Sequence, residues 1–163
     1  MELDYQQFFN GIDKEGIDYI IVGGLAVNLH GIPRMTYDID LVILLDTENI
    51  MRLIKILDHW GYYPRVPVQA EELADEKKRA HWIKEKNMKA FTFYNDNEPL
   101  GEIDLIIDSP IPYDVLRKKA VLFDIGGVNV PVISIPDLIT VKLQSGRSQD
   151  LADVEHLRTI LEE

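Results

Sequence analysis

Asp38 and Asp40 stand one residue apart at the head of the apolar run Leu41-Val42-Ile43. In a strand, side chains two positions apart leave the same face. Two carboxylates held about 4 Å apart at an effective dielectric near 20 repel by roughly 4 kcal/mol. A cation between them removes that cost, and a hard divalent ion that prefers oxygen ligands, magnesium or manganese, suits the pair. The pattern recurs at Glu102-Ile103-Asp104-Leu105-Ile106-Ile107. If the two strands pair side by side, three carboxylates meet at one end of a sheet. Carboxylate, phosphate and water oxygens then complete octahedral shells, and two ions about 3.5–4 Å apart suit phosphoryl or nucleotidyl transfer. The spacing to the apolar residues favours Asp104 as the third ligand, with Glu102 on the same face. A lone Asp-x-Asp reads equally well as a wet strand end, so the pairing of the two strands decides the matter.

Other residues fall in with this chemistry. Gly23-Gly24 follows the apolar run Tyr19-Ile20-Ile21-Val22 and precedes a short helical segment. Glycine allows close backbone approach, and a helix start offers free amides, so the pair fits a phosphate seat or a plain tight turn. Lys142 lies four residues after Leu138 and three after Ile139, on their side of a helix. It either runs its stem along the core edge or reaches into a site. Arg34, Thr36 and Arg147 are supplementary phosphate or base contacts. His30, in an apolar helical segment, reads as structural.

The elements that would position these residues follow from periodicity and punctuation. A short amphipathic helix is predicted over 3–15, a buried strand over 17–22, a helical segment over 25–29 and a strand over 38–45. Asp46-Thr47-Glu48 caps a helix of about 12 residues, striped by Ile50, Leu53, Ile54 and Leu57. An extended stretch over 62–68, a charged helix over 71–81, a strand over 90–94 and a turn over 95–99 come next. After the 102–107 strand come a helix over 110–119 and strands over 120–124 and 128–133. Ser134 and Asp137 have capping-box spacing for a helix over 137–144, and a last amphipathic helix runs over 149–161. Helices and strands mix without regular alternation, so the expected fold is α+β, a mixed sheet flanked by helices.

The 163 residues are read as a single domain, 1–163, long enough for a proper core. With no cysteine, disulfide scaffolds, thiolate metal sites and cysteine nucleophiles are excluded. Met1-Glu2-Leu3-Asp4-Tyr5 lacks the basic start and apolar core of a signal peptide, and no apolar run is long enough to span a bilayer; a cytoplasmic location is expected. A net charge of -11 argues against broad clamping of nucleic acid. Within that acidic chain, Lys77, Lys78, Arg79, Lys84, Lys86 and Lys89 face the single acid Glu85 over 77–89. This window is either a solvated helix end balancing its acidic neighbours or a patch for a polyanion such as RNA.

Gly23-Gly24, His30-Gly31, Arg34, Thr36 and Asp38-Ile39-Asp40-Leu41 resemble the signature of the DNA polymerase β nucleotidyltransferase superfamily. Within it the arrangement is similar to the AbiEii-type toxin nucleotidyltransferases. The segment Ile135 to Leu143, with Arg147 and Asp150-Leu151-Ala152-Asp153-Val154, resembles that group's downstream helices. The Gly-Ser and Arg-Gly pattern of the minimal antitoxin nucleotidyltransferases is absent. The resemblance implies magnesium-dependent transfer of a nucleoside monophosphate from a nucleoside triphosphate. By position, Asp38 and Asp40 bind metal and Asp104 completes the site and helps deprotonate the acceptor hydroxyl. Gly23 and Gly24 hold the triphosphate, with Lys142 its partner. The acceptor stays open between RNA, a protein partner and a small hydroxylated molecule, in a toxin–antitoxin or defence setting. The alternative is a catalytically silent nucleotide- or partner-binding module on the same fold.

Overall fold

The computed structural model describes residues 3–97 and 100–163. Met1-Glu2, and the Glu98-Pro99 part of the turn expected over 95–99, lie outside the described residues. In chain order the elements are α1 (Tyr5–Lys14), β1 (Tyr19–Val22), α2 (Gly23–Leu29), β2 (Ile39–Ile43), α3 (Thr47–His59), β3 (Tyr63–Pro64), a 3-10 turn (Ala70–Ala74), α4 (Glu76–Lys86), β4 (Ala90–Tyr94), β5 (Ile103–Ile106), α5 (Tyr113–Lys119), β6 (Val121–Ile125), β7 (Val128–Val132), α6 (Ile135–Ser145) and α7 (Ser148–Glu162). The seven strands form one mixed sheet in the order β3-β4-β5-β2-β1-β7-β6. The parallel pairs are β2 with β5 and β1 with β7; the others are antiparallel. This is the α+β architecture expected from the sequence.

The two faces of the sheet differ, and the difference locates the site. Phe91, Phe93, Ile103, Leu105, Ile39 and Leu41 point to one face and are fully buried. Helices α1, α3 and α4 cover that face: Phe9 stacks on Tyr19, Trp60 at the end of α3 packs on Phe8, and Trp82 packs on Phe91. On the opposite face stand Val22, Asp40, Val42, Asp104, Ile106 and Thr92, by the alternation of the strands. Helices α5 and α6 cover only its centre, through Leu116, Leu138 and Val141. Toward β4 and β3 that face stays open, so β4 alternates half-buried and buried residues along its length.

Local chemistry sets the boundaries. Asp4 caps α1 by accepting the Gln7 N–H at 2.8 Å while the Gln7 side chain returns the bond. Asp46 caps α3 through Asn49 N–H at 2.7 Å. Asn49 itself is buried and ties the start of β1 to the end of β2, accepting from Asp18 N–H and donating to the Asp18 and Leu44 carbonyls. Ser134 caps α6 through Asp137 N–H at 3.3 Å, and the helix begins at Ile135, two residues before the expected start.

Three expectations need correction. The strand expected over 38–45 is shorter, and Asp38 falls just before it because its carboxylate takes the Glu102 N–H at 2.8 Å. The helix expected over 71–81 is broken at Asp75, whose backbone is extended and whose carboxylate caps the new helix α4 at Lys77 N–H and Lys78 N–H. The double glycine, expected before the helical segment, is its first turn: α2 begins at Gly23.

Candidate functional site

The register of β2 on β5 places Asp40 directly beside Asp104, and Ile39 beside Ile103. Two acids on adjacent parallel strands, on one face, are therefore brought together by backbone pairing alone. Thr92 sits beside Asp104 on the next strand, and its hydroxyl donates to Asp104 Oδ1 at 2.6 Å. Burial, the Asp104 carboxyl and its hydrogen bond, and then Asp38 push the Asp40 carboxyl up to about 7, with Lys142 pulling the other way. Asp40 accordingly still holds a proton near neutral pH.

Asp38 is held slightly apart. Its Oδ1 accepts the Glu102 N–H, and Gly101 lies so close that a Cβ there would run into this carboxylate. Among the described residues no three acid or histidine side chains are gathered tightly enough to hold an ion as they stand. The Asp40–Asp104 pair nevertheless has the chemistry a hard cation requires: facing carboxyl oxygens, half-buried, with a proton on Asp40 that a divalent ion can replace.

Gly23 closes the site from the side of β1. Its φ is +66°, and a Cβ would collide with Asp40 Oδ2. Only glycine satisfies both the left-handed backbone and the close approach. Gly23→Ala is therefore expected to lower stability by at least about 1–2 kcal/mol and to displace the Asp40 carboxylate. Thermal melting and nucleotide titration of that variant check both effects. At Gly24 a Cβ would meet Thr36 Oγ1 at 2.9 Å and Arg34 Cζ at 3.5 Å, so both side chains line the double-glycine turn.

Between this edge and α6 lies a cavity of about 170 Å³ whose wall runs from Gly23 and Asp40 to Lys142, Ser145 and Arg147. Lys142 is buried, and its ammonium is 3.1 Å from Asp150 Oδ1 and 2.9 Å from Asp153 Oδ2. Arg34 bridges to Asp153, and Arg147 Nε donates to Asp150 Oδ2 at 2.7 Å. Burial alone would push Asp150 up, but hydrogen bonds from Arg147, Ser145 and Lys142 hold it at about 2. Lys142 does not run its head group out to water: the ammonium is buried between Asp150 and Asp153, in the wall of the cavity that Asp40 also lines.

The family model of the AbiEii nucleotidyl transferase toxin of type IV toxin–antitoxin systems matches residues 10–162. The chain belongs to the AbiEii family. No curated protein matches it. Among solved structures it is similar to the lincosamide antibiotic adenylyltransferase LnuA with lincomycin bound, at 17% identity and a TM-score of 0.62, covering 98% of this chain and 99% of that one. It also resembles the antibiotic-resistance factor ANT(2'')-Ia, at 15% identity and a TM-score of 0.59, over 94% of this chain and 80% of that one. A third likeness is an antigenic nucleotidyltransferase-like protein from Paracoccidioides brasiliensis, at 20% identity and a TM-score of 0.57, over 92% and 71%. At such identities the likeness is one of fold, and this AbiEii chain shares its sheet-and-helix frame with all three.

The AbiEii fold thus brings Asp40, Asp104, Gly23, Gly24, Arg34, Thr36 and Lys142 around one end of the central strands β5, β2 and β1, with Asp38 beside them. It does not bring in the basic window. Trp82 of α4 packs on Phe91, so α4 lies behind the sheet, on the face away from Asp40 and Asp104. Arg79 is buried there, donating to the Leu73 carbonyl at 2.7 Å, while Lys78 pairs with Glu72 and Lys89 with Asp108. Lys77, Lys84 and Lys86 point to solvent. Buried Arg79 and paired Lys78 and Lys89 suit the reading of a helix end balancing its acidic neighbours, and any RNA patch here would rest on Lys77, Lys84 and Lys86. His30 is structural as read: its Nε2 lies 2.7 Å from the Ile133 carbonyl and its ring meets Phe123 edge-on.

Sequence reasoning assigned no role to Thr92, Asp150 or Asp153. The signal for the last two was present as acids three apart on the final helix. Only the packing of α7 on α6 aims them at Lys142. Thr92 had no signal of its own until the register with Asp104 was known.

Proposed function

We propose that residues 1–163 form one nucleotidyltransferase domain that moves a nucleoside monophosphate from a nucleoside triphosphate to an acceptor hydroxyl with the help of magnesium or manganese. The observation that carries this reading is the Asp40–Asp104 register pair, with the Gly23 backbone pressed against Asp40. Asp40 and Asp104 would hold the ion, joined by Asp38 once its oxygen leaves the Glu102 N–H. Bound there, the ion supplies charge neutralisation to the reacting phosphate.

The remaining steps belong to side chains and backbone of this chain. Gly23 and Gly24 let the triphosphate approach the main chain closely, flanked by Arg34 and Thr36. Lys142 adds a positive charge from the cavity wall. The acceptor oxygen bonds to the α-phosphorus as the bond from that phosphorus to the β-bridging oxygen breaks, and pyrophosphate leaves. The hydroxyl proton passes to Asp104, whose carboxylate Thr92 fixes. Catalysis of this kind is mainly positioning and electrostatics.

Family membership supports a toxin–antitoxin setting. The proposed place of action is the cytoplasm. Among the described residues no helix is long and apolar enough to cross a membrane. The complexes of LnuA with lincomycin and of ANT(2'')-Ia with adenylyl-2''-tobramycin favour a small-molecule acceptor over RNA or protein. Incubation with labelled nucleoside triphosphates, magnesium and cell lysate, followed by separation of RNA, protein and small molecules, tests the reading. Label in one fraction that disappears with Asp40→Asn supports it. Turnover unaltered by that substitution rejects it.

A further inference from the structure

The open half of the catalytic face carries a second set of side chains in register with the acids. Tyr63 pairs with Tyr94, Thr92 pairs with Asp104, and the Arg65 N–H bonds the Thr92 carbonyl at 2.9 Å. By strand alternation Tyr63, Arg65, Tyr94, Thr92, Glu102 and Asp104 therefore share one face. One row runs Arg65, Thr92, Asp104, Asp40. The next runs Tyr63, Tyr94, Glu102, Asp38. With strands about 4.8 Å apart, Tyr94 stands about 8 Å from Asp104, one ring's length from an oxygen reacting there.

The chemistry of this strip is aromatic and acidic. Tyr63 is 56% exposed, although it sits in a strand. The Arg65 guanidinium lies over the Tyr94 ring, 4.6 Å from its centroid, and is bridged to Glu102. The ring face of Tyr94 thus already receives a cation beside a carboxylate. Among the described residues the nearby positive charges are otherwise taken: Lys142 and Arg34 by Asp150 and Asp153, and Lys89 by Asp108. The lysines of α4 lie behind the sheet. A phosphate backbone laid on this strip would meet Glu102 and Asp38 with only Arg65 to offset them, whereas polyanion binding needs several cations. An ammonium group that takes the place of the Arg65 guanidinium would meet the Tyr94 face and the Glu102 carboxylate, beside the exposed ring of Tyr63.

We infer that the strip formed by Tyr63, Arg65, Tyr94 and Glu102 is the acceptor shelf of this enzyme, and that it takes a compact ring-bearing amine with free hydroxyls rather than a polynucleotide. This rests on the nucleotidyltransferase reading for what happens at Asp104, but the shelf itself is a binding site and can be measured without turnover.

The test uses the full chain without nucleotide or metal, followed by amide NMR. Tobramycin serves as the amine-bearing probe and a short single-stranded ribo-oligonucleotide with a free 3′-hydroxyl as the polyanion. Tobramycin is expected to shift the amides of Thr92, Tyr94 and Glu102. Tyr94→Ala should weaken its affinity about tenfold, and Glu102→Gln several-fold, with the rest of each variant's spectrum unchanged to show that it is folded. The oligonucleotide should leave those amides in place. The inference is overturned if the oligonucleotide shifts them, if tobramycin does not, or if neither substitution alters tobramycin affinity. Any of those results leaves transfer from the nucleoside triphosphate to be judged on its own assay, so the two failures are distinguishable.

Discussion

Asp40→Asn is expected to remove nucleotidyl transfer, by on the order of 10³-fold or more, while making the protein more stable above neutral pH. The loss of activity follows from taking away one of the two facing oxygen sets that would hold a cation against the reacting phosphate. The gain in stability follows from the proton balance. Asp40 titrates at about 7 in the fold, above its ordinary value, because it is buried beside Asp104 and Asp38. A carboxyl raised in this way contributes stability that is fully present below its unfolded value and is lost as pH rises through 7. Wild-type protein should therefore lose stability between about pH 4 and pH 8, on the order of 3 kcal/mol from this group. The asparagine variant, which has no proton to lose, should not. Melting temperatures at pH 5 and pH 8 check the crossing. Magnesium should restore much of the wild-type loss at pH 8, because an ion in place of the proton binds the folded state alone. It should do little for the variant. A wild-type protein whose melting is flat from pH 5 to pH 8 would refute the account.

The same residue marks what could be read without the structure. Asp38, Asp40 and Asp104 were legible because period-two acids at the head of apolar runs are costly unless they serve something, and because the two runs repeat the pattern. The double glycine and the misplaced Lys142 were legible as departures from local rules. The exact role of each position was not. Asp40 is the acid that meets Asp104, and only the register of β2 on β5 tells this. The basic window stayed open between two readings because a helix's sequence does not say which face of a sheet it covers; a single ring contact, Trp82 on Phe91, decides that. The partners of Lys142 were hidden for a related reason. Acids on α7 become relevant only when α7 folds back along α6, a tertiary event with no local periodicity to announce it. The open strip of Tyr63, Arg65 and Tyr94 was hidden because no residue between 62 and 94 tells that β3 pairs with β4, and only Tyr63–Pro64 of the extended segment expected over 62–68 form a strand.

Lys142→Met is expected to cost about 3–5 kcal/mol and to abolish tight triphosphate binding. Methionine keeps the packing volume of the stem, so the cost is electrostatic. Asp150 and Asp153 would remain buried, with Arg34 and Arg147 alone against them, and a buried ion pair broken from one side typically costs that much. Lys142 and Arg147 line the cavity with Asp150, and Arg34 and Asp153 extend the same cluster behind it, so three cations meet two aspartates beside Asp40. That excess suits an incoming triphosphate, and removing Lys142 erases it. The acid side of the stability profile should move as well. Asp150 sits at about 2, and a depressed carboxyl contributes stability that is present above its ordinary value and lost as pH falls toward 2. Without Lys142 part of that depression disappears, so the variant should begin to lose its remaining stability at a higher pH. The companion variant Lys142→Met/Asp150→Asn/Asp153→Asn separates the two roles. It should regain most of the folding free energy in urea melts, because no uncompensated carboxylate is left buried, yet still fail to bind the nucleotide. If the triple variant binds nucleoside triphosphate as wild type does, Lys142 only fills and neutralises the space between α6 and α7. If Lys142→Met alone melts like wild type, the two aspartates are not held by it.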